Sequence, residues 1–188
     1  MVHSGGERLG RTVLSAEEIE RVVWRLAGEI DEEYRGTVPV AVIVLRGAFV
    51  FAADLLRRMR TEVCVDFIEV ASYTIGARST GRVELRRDLR EDVAGQRVLV
   101  IEDIIDTGRT ARFILDHIGL HQPADIKVVT LLDKRGRRMV EVPVDFVGVR
   151  IPNVFVVGYG LDMNGRFRNL PYVAECHWES SGGRAESE

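Results

Sequence analysis

The chain has 188 residues, a formal net charge of −3, and hydrophobic and charged fractions of 46% and 29%. This length favours one compact domain, and the negative balance argues against a general nucleic-acid binder. Two cysteines are too few for a disulfide-rich scaffold. No apolar run approaches the roughly 20 residues that span a bilayer, and the N-terminus lacks the apolar stretch of a signal peptide. The composition predicts a cytoplasmic protein that binds neither membrane nor nucleic acid.

The two ends of the chain are expected to lie outside the domain. Residues 1–12 are polar and contain glycine, which predicts a flexible N-terminal arm. Residues 179–188 contain no large apolar side chain, which predicts a disordered tail. The single domain is therefore expected over residues 13–178.

Strands and helices alternate along the domain. The first predicted helix begins at Ser15, which with Glu18 has the spacing of a capping box, and apolar residues recur at helical spacing from Ile19 to Ile30. Short apolar runs predict strands over residues 38–45, 62–70, 96–101, 126–132, 145–149 and 154–157, with helices over 48–59 and 110–120. This order predicts an α/β fold, with a central, mostly parallel twisted sheet flanked by helices. Ligands of such sheets bind at the carboxyl ends of the strands.

Residues 72–82, S-Y-T-I-G-A-R-S-T-G-R, interrupt the alternation with Gly, Ser and Thr. The segment is long and polar and shows no face that would be buried. It predicts a mobile loop, and loops of this kind often act as lids over active sites.

The most informative segment is residues 102–110, E-D-I-I-D-T-G-R-T, which follows a buried strand and opens a helix. A strand-turn-helix junction leaves backbone N–H groups unpaired at the positive end of the helix dipole, which makes a phosphate site. Gly108 allows close backbone approach, and Thr107 can donate a hydroxyl. The acids suit ribose hydroxyls or Mg2+ rather than phosphate. An acidic helix start, with Asp106 or Thr107 as the N-cap, would have similar residues.

This segment resembles the signature of the type I phosphoribosyltransferases, and V-L-V-I-E-D-I-I-D-T-G resembles the hypoxanthine-guanine branch in particular. Further segments are similar to that branch in the same order. Residues 45–55 resemble its pyrophosphate loop, 66–73 the approach to its flexible loop, and 145–152 and 155–164 its purine-binding hood. The resemblance covers residues 14–174 and implies a hood formed from the N- and C-terminal segments.

The resemblance implies how the central segment works. Asp106 would be the catalytic residue, a general base near N7 of the purine. Glu102 and Asp103 would hold the ribose hydroxyls, partly through Mg2+, and Asp162 would hold a second Mg2+. Phosphoribosyl pyrophosphate would be bound by Arg46, Gly47, Glu102, Asp103, Asp106, Thr107, Gly108, Arg109, Thr110 and Arg168. The family commonly has Lys where this chain has Arg46. A role for that side chain stays open, because the loop could instead work through backbone N–H groups in a strained peptide, which a cis bond would provide.

The purine would be bound by Lys134, Phe155, Val156 and Asp162. The resemblance implies that Lys134 donates to the oxygen at C6, which would favour hypoxanthine and guanine over adenine. Without it, Lys134 would be typical of a solvated basic run, and the apolar stretch at Phe155 and Val156 typical of a core. Ser72 and Tyr73 would begin the flexible lid.

The implied activity is purine salvage. The 5-phosphoribosyl group of phosphoribosyl pyrophosphate would be transferred, with Mg2+, to N9 of hypoxanthine or guanine, giving IMP or GMP plus pyrophosphate. The implied assembly is a homodimer or homotetramer. The choice among hypoxanthine, guanine and xanthine stays open, as does feedback by nucleotides.

Three alternatives remain. The first is a xanthine-preferring or broader 6-oxopurine enzyme, and the second a phosphoribosyltransferase-like RNA-binding regulator of pyrimidine genes. A net charge of −3 and the presence of Lys134 and Phe155 argue against the regulator. The third is a phosphatase with an aspartyl nucleophile, whose acids would normally be spaced D-x-D.

Overall fold

A computed structural model describes residues 6–75 and 78–178, with the backbone alone for residues 72–75 and 78–82. The strands are β1 Glu7–Leu14, β2 Val40–Leu45, β3 Cys64–Ile75, β4 Arg78–Arg87, β5 Arg97–Ile105, β6 Asp125–Asp133, β7 Phe146–Arg150, β8 Val156–Val157 and β9 Val173–Trp178. The helices are α1 Ala16–Glu33, α2 Phe49–Arg58 and α3 Arg109–Gly119, and a 3-10 turn covers Arg135–Arg137.

The central sheet has six strands in the order β4-β3-β2-β5-β6-β7. Strands β3, β2, β5, β6 and β7 run parallel, and β4 pairs antiparallel with β3 at one edge. One core joins α1 and α2 to side chains such as Ile43 and Ile101, and a second joins α3 to Val42 and Val100. Helices therefore cover both faces, which explains the continuous apolar runs and confirms the predicted α/β architecture.

Helix α1 begins as the sequence predicts. The Ser15 hydroxyl accepts from the Glu18 backbone N–H at 3.3 Å, and the Glu18 carboxylate accepts from the Ser15 N–H at 2.8 Å. Ile19, Leu26 and Ile30 lie buried on one face of the helix. None of the described helices is long and apolar enough to cross a membrane.

The ends of the domain form a second sheet, in the order β1-β9-β8, which is the predicted hood. Residues 7–12, predicted as part of a flexible arm, lie in β1 and pair antiparallel with β9, so that prediction is wrong for them. The Glu7 carboxylate accepts hydrogen bonds from Asn164 at 3.1 Å and from Arg166 at 2.6 Å. Partners more than 150 positions away hold the segment, and its local composition carries no sign of them. Residues 1–5 and the predicted tail at 179–188 lie outside the described residues.

The predicted loop at residues 72–82 is also different from expectation. Strands β3 and β4 continue into it as an antiparallel hairpin, with Ser72 opposite Val83 and Thr74 opposite Ser79. Backbone pairing does not depend on side chains, so a run of Gly, Ser and Thr can still form a ladder. Residues 76 and 77 and the side chains of Ser72 and Tyr73 lie outside the described residues, and closure of this hairpin as a lid stays a prediction.

Candidate active site

A cavity of about 240 Å³ opens where β5 meets the turn before α3. Its lining includes residues 102–108, Thr110 and, from the end of β2, Leu45 and Gly47. The cavity thus lies at the carboxyl ends of adjacent parallel strands, where the sequence predicted it. Polar groups that the sequence separates by more than fifty positions converge there because β2 and β5 are neighbours in the sheet.

Two adjacent buried acids form the floor of the site. Glu102 and Asp103 each retain 8% exposure. Burial, followed by the charge of Asp103, raises the pKa of Glu102 well above its usual range. Burial also raises the pKa of Asp103 to about 6, although the Ile104 N–H, 2.7 Å from its Oδ1, and the Arg168 guanidinium lower it. Two ionised carboxylates are therefore costly at this position, and a bound cation would lower that cost.

The donor set fits a hard divalent cation. Glu102 Oε2 is buried without a hydrogen-bond partner among the described residues. Carboxylate oxygens are the ligands that Mg2+ takes in proteins, and an orphaned buried carboxylate oxygen is uncommon without an ion or water. Glu102 and Asp103 can hold such an ion directly.

The loop that follows β2 is packed tightly against these acids. The peptide between Leu45 and Arg46 is cis. A Cβ on Gly47 would overlap the Asp103 carboxylate, and a Cβ on Gly160 would overlap the Gly47 carbonyl. Gly160 has a φ of +98°, which favours glycine. The Gly47 loop therefore contacts the Asp103 side chain on one side and the hood backbone at Gly160 on the other, with no room for a side chain at either glycine.

The hood brings a third acid and an arginine to this junction. Arg168 Nη2 lies 2.7 Å from Asp162 Oδ1, and Arg168 Nη1 donates to the Gly160 carbonyl at 2.6 Å. The second Asp162 oxygen accepts from the Gly165 N–H at 2.7 Å. Both charged residues interact electrostatically with Asp103, so the hood pair and the strand acids form one charged group.

The turn before α3 has the geometry of an anion site. Gly108 is the N-cap, with a φ of +83°, and a Cβ there would overlap the Val140 carbonyl. The Val140 N–H donates to the Thr107 carbonyl at 3.0 Å, which holds the turn from behind. The Arg109 N–H faces the Thr107 hydroxyl at 3.4 Å, and Thr110 lines the cavity. Backbone donors in the first helical turn thus surround the cavity edge.

Asp106 lies between two cations. Lys134 Nζ is 3.7 Å from one of its oxygens, an ion pair too long for a hydrogen bond, and Arg137 Nε is 3.3 Å from the other. Lys134 has only 5% exposure, so it is not the solvated lysine that its basic run also allowed. Burial lowers the pKa of Lys134, with a further lowering from Arg137, and Asp106 opposes both.

The other predicted hood residues differ in position. Phe155 stands 52% exposed at the surface, whereas Val156 is buried in β8. Strand β8 is an edge strand of the hood sheet, so only one of its two backbone edges pairs with another described strand. Neither residue lines the 240 Å³ cavity. Arg46 points to Glu69, with Nε 3.5 Å from Oε1.

Sequence reasoning missed two functional candidates. Arg137 was visible only as part of a basic run, and nothing in the run indicated which member would face Asp106. Gly160 lies in the run G-Y-G-L-D within residues 155–164, and no role was predicted for it. The two glycines of that segment, spaced by one residue, were the available signal of a tight backbone approach.

Comparison with known proteins identifies the class of protein to which this chain belongs. The family model described as "Phosphoribosyl transferase domain" matches residues 11–164. The chain is 43% identical over 163 residues to the hypoxanthine-guanine phosphoribosyltransferase of Bacillus subtilis, covering 87% of this chain and 91% of that protein. The chain therefore belongs to the phosphoribosyltransferase family, in its hypoxanthine-guanine branch, as predicted.

Two further similarities define the extent of the match. A crystal structure of a hypoxanthine-guanine phosphoribosyltransferase from Bacillus anthracis matches with a TM-score of 0.85 at 40% identity, over 91% of this chain and 99% of that one. The bifunctional TilS/HprT protein of Listeria monocytogenes is 46% identical over 163 residues, but this chain spans only 25% of its length. The similarity to that protein thus concerns one part of a longer chain.

Proposed function

We propose that the protein transfers the 5-phosphoribosyl group of phosphoribosyl pyrophosphate to N9 of hypoxanthine or guanine, with Mg2+, and so serves purine salvage. The observation that carries the proposal is the cavity in which the Glu102–Asp103 pair, the phosphate turn and the Gly47 loop converge. The membership of the hypoxanthine-guanine branch supports the purine substrates.

Phosphoribosyl pyrophosphate would lie along this cavity. The turn from Thr107 to Thr110 would hold its 5-phosphate by backbone N–H groups and hydroxyls, at the positive end of α3. Glu102 and Asp103 would accept from the ribose hydroxyls. Pyrophosphate would lie between the Gly47 loop and Arg168, whose planar guanidinium suits bidentate binding of phosphate.

Glu102, Asp103 and Asp162 would hold Mg2+ through their oxygens. When bound, the ion neutralises charge on pyrophosphate as the ribosyl carbon becomes cation-like. The chain's own contribution is to keep these carboxylates in a buried, oriented group beside Arg168.

The proton step is assigned to Asp106. As N9 bonds to the ribosyl carbon, pyrophosphate leaves with the electron pair of the broken bond and the purine ring becomes positive. Asp106 would accept the proton from N7, which restores a neutral ring. The cations at 3.7 Å and 3.3 Å would hold this carboxylate at the cavity that Asp106 lines.

The choice of purine is assigned to Lys134. A buried ammonium needs acceptors, and Asp106 satisfies it only at ion-pair distance. An oxygen at C6 would supply the missing acceptor, whereas an amino group at C6 would not. Phe155 would stack on the purine, and the free backbone edge at Val156 would read its rim.

The test is a spectrophotometric assay with phosphoribosyl pyrophosphate and hypoxanthine, guanine, xanthine or adenine, with and without Mg2+. We expect metal-dependent conversion of hypoxanthine and guanine and none of adenine. A preference for xanthine would move the assignment to the xanthine alternative. No conversion of any base would refute the proposal and lead to a gel-shift with RNA and a phosphomonoester assay.

Asp106→Asn tests the proton step, since it keeps the shape of the side chain and removes its basicity. We expect turnover to fall by about 10²–10⁴-fold while phosphoribosyl pyrophosphate binding stays nearly intact. Asp116→Asn is the matched control, because Asp116 lies on α3 with 67% exposure. Unchanged turnover in Asp106→Asn would remove this residue from the chemistry.

Lys134→Ala tests the purine assignment. We expect discrimination between 6-oxo and 6-amino purines to be lost, measured as the ratio of kcat/KM for hypoxanthine to that for adenine. Lys127→Ala is the matched control, because Lys127 lies in β6, which Lys134 directly follows, and pairs with Asp145 and Glu33 instead. Selectivity that persists in Lys134→Ala would show that another group reads C6.

Three further features are part of the proposal. Ser72 and Tyr73 would begin a lid over the reacting centre. The free thiols of Cys64 and Cys176 are compatible with the reducing cytoplasm, where the protein would act. Trp24 and Phe49 stand 58% and 47% exposed, which supports a homodimer or homotetramer, and light scattering would measure it.

A further inference from the structure

Asp88, His117 and His121 converge on the surface away from the cavity. One ligand atom from each lies within 4.8 Å of the others. Asp88 directly follows β4, His117 lies in the last turn of α3, and His121 lies in the turn after that helix. Tertiary folding therefore brings the carboxylate to the two imidazoles, which are four positions apart.

The cluster is ordered before any ligand binds. His117 Nε2 and Asp88 Oδ1 are 2.7 Å apart, and the Leu89 N–H donates to the same oxygen at 2.8 Å. The Phe113 ring lies parallel to the His117 ring, with 6.3 Å between centroids. His117 has 19% side-chain exposure and Asp88 48%, so an ion can reach the site from solvent.

Two imidazoles and one carboxylate make a ligand set for a borderline divalent metal. Zn2+ binds His nitrogen and Asp oxygen at about 2.0–2.2 Å, so tetrahedral ligand atoms lie about 3.4 Å apart. The 2.7 Å pair must open slightly, and the most distant pair must close by no more than about 1.4 Å. Side-chain rotation at a solvent-facing site can supply both changes. Water would take the fourth position.

We propose that Asp88, His117 and His121 bind one Zn2+ ion, which ties the segment after β4 to the end of α3. The site differs in chemistry from the carboxylate group at Glu102 and Asp103, because Mg2+ selects oxygen-only ligands. Helix α3 begins at the phosphate turn, and β4 is one strand of the hairpin that includes the proposed lid. Zinc would therefore fix the end of β4 relative to α3, whose first residues line the substrate cavity.

The test uses the full, untagged chain. Bound metal is first removed with chelator, and excess Mg2+ is then added to occupy the carboxylate group at Glu102 and Asp103. Isothermal titration with ZnCl2 should show one equivalent bound per chain. At zinc concentrations about 100-fold above the dissociation constant, the thermal midpoint should rise by about 5–10 °C. Co2+ should give the intense visible absorption of a tetrahedral nitrogen-containing site, a signal that requires no enzymatic activity.

His121→Ala is the decisive variant, because His121 is an exposed turn residue whose truncation should leave the core packing unchanged. It should weaken zinc affinity at least tenfold and abolish the tetrahedral Co2+ signal. His177→Ala is the matched control, since His177 faces a single carboxylate, Glu175, at 3.5 Å. The proposal is overturned by absence of stoichiometric binding, by equal binding in His121→Ala, or by equal losses in both variants.

Discussion

The buried acid pair should lower the unfolding free energy at neutral pH, and Asp103→Asn would measure by how much. Burial raises the pKa of Asp103 to about 6, from an ordinary value of 3.8. The folded state therefore favours the protonated carboxyl. Its stabilising contribution is fully present below pH 3.8 and is lost as the pH rises through 6. Asn is an uncharged isostere of Asp. The Asp103→Asn variant should therefore retain at neutral pH the stability that the wild type loses when Asp103 ionises.

The magnitude follows from the shift. The difference of about 2 pK units between 6 and 3.8 corresponds to about 3 kcal/mol of unfolding free energy. This value is a ceiling, because Glu102 shares the buried region and part of the relief belongs to the pair. We expect Asp103→Asn to gain about 1–3 kcal/mol above pH 7 in chelator, and the gain to vanish near pH 4.

Urea unfolding of both proteins between pH 4 and 8, in chelator, measures this difference. Adding Mg2+ should stabilise the wild type and have less effect on Asp103→Asn, which should also lose phosphoribosyl transfer. Asp116→Asn, which changes an exposed acid on α3, should alter unfolding by less than about 1 kcal/mol. A stability difference between Asp103→Asn and wild type that does not change with pH would refute the electrostatic reasoning.

Two other substitutions test the framework of the site. Gly160→Ala places a Cβ on the Gly47 carbonyl, so it should raise the KM for phosphoribosyl pyrophosphate and lower the unfolding free energy by about 1–3 kcal/mol. Gly165 also has a positive φ but has open space around it, so Gly165→Ala should leave that KM near its original value. Asp66 accepts three backbone N–H groups, so Asp66→Ala should lower the unfolding free energy by about 2–4 kcal/mol in urea titrations. Asp66→Asn, which keeps one acceptor oxygen, should cost less, and equal losses would mean that the hydrogen bonds are not the cause.

The central sheet could be predicted because its signals are local. Each buried strand is a short β-branched run, and Ser15 with Glu18 marks the start of α1 within four residues. The order of acids, glycine and threonine after β5 likewise indicates a phosphate turn from chain geometry alone. Such features depend on neighbours in sequence, so sequence reasoning reached them.

The hood and the hairpin could not be predicted in the same way. Strand β1 is stabilised by pairing with β9 and by Arg166, at a separation of 159 positions. Nothing in the polar run around Gly10 indicates that partner. The partner of Asp106 posed a similar problem, since only the 3-10 turn decides which arginine of the basic run faces it.

The close packing of Asp103, Gly47 and Gly160 is the strongest link from fold to function. Gly47 cannot carry a side chain because the Asp103 carboxylate lies against it. Gly160 cannot carry one because the Gly47 carbonyl lies against it. Arg168 contacts both the Gly160 carbonyl and Asp162, so a shift of the hood would move the Gly47 loop and the charged group together. Substrate that bridges these elements would therefore stabilise the whole junction, and apo protein should lose order there first when the carboxylates repel each other.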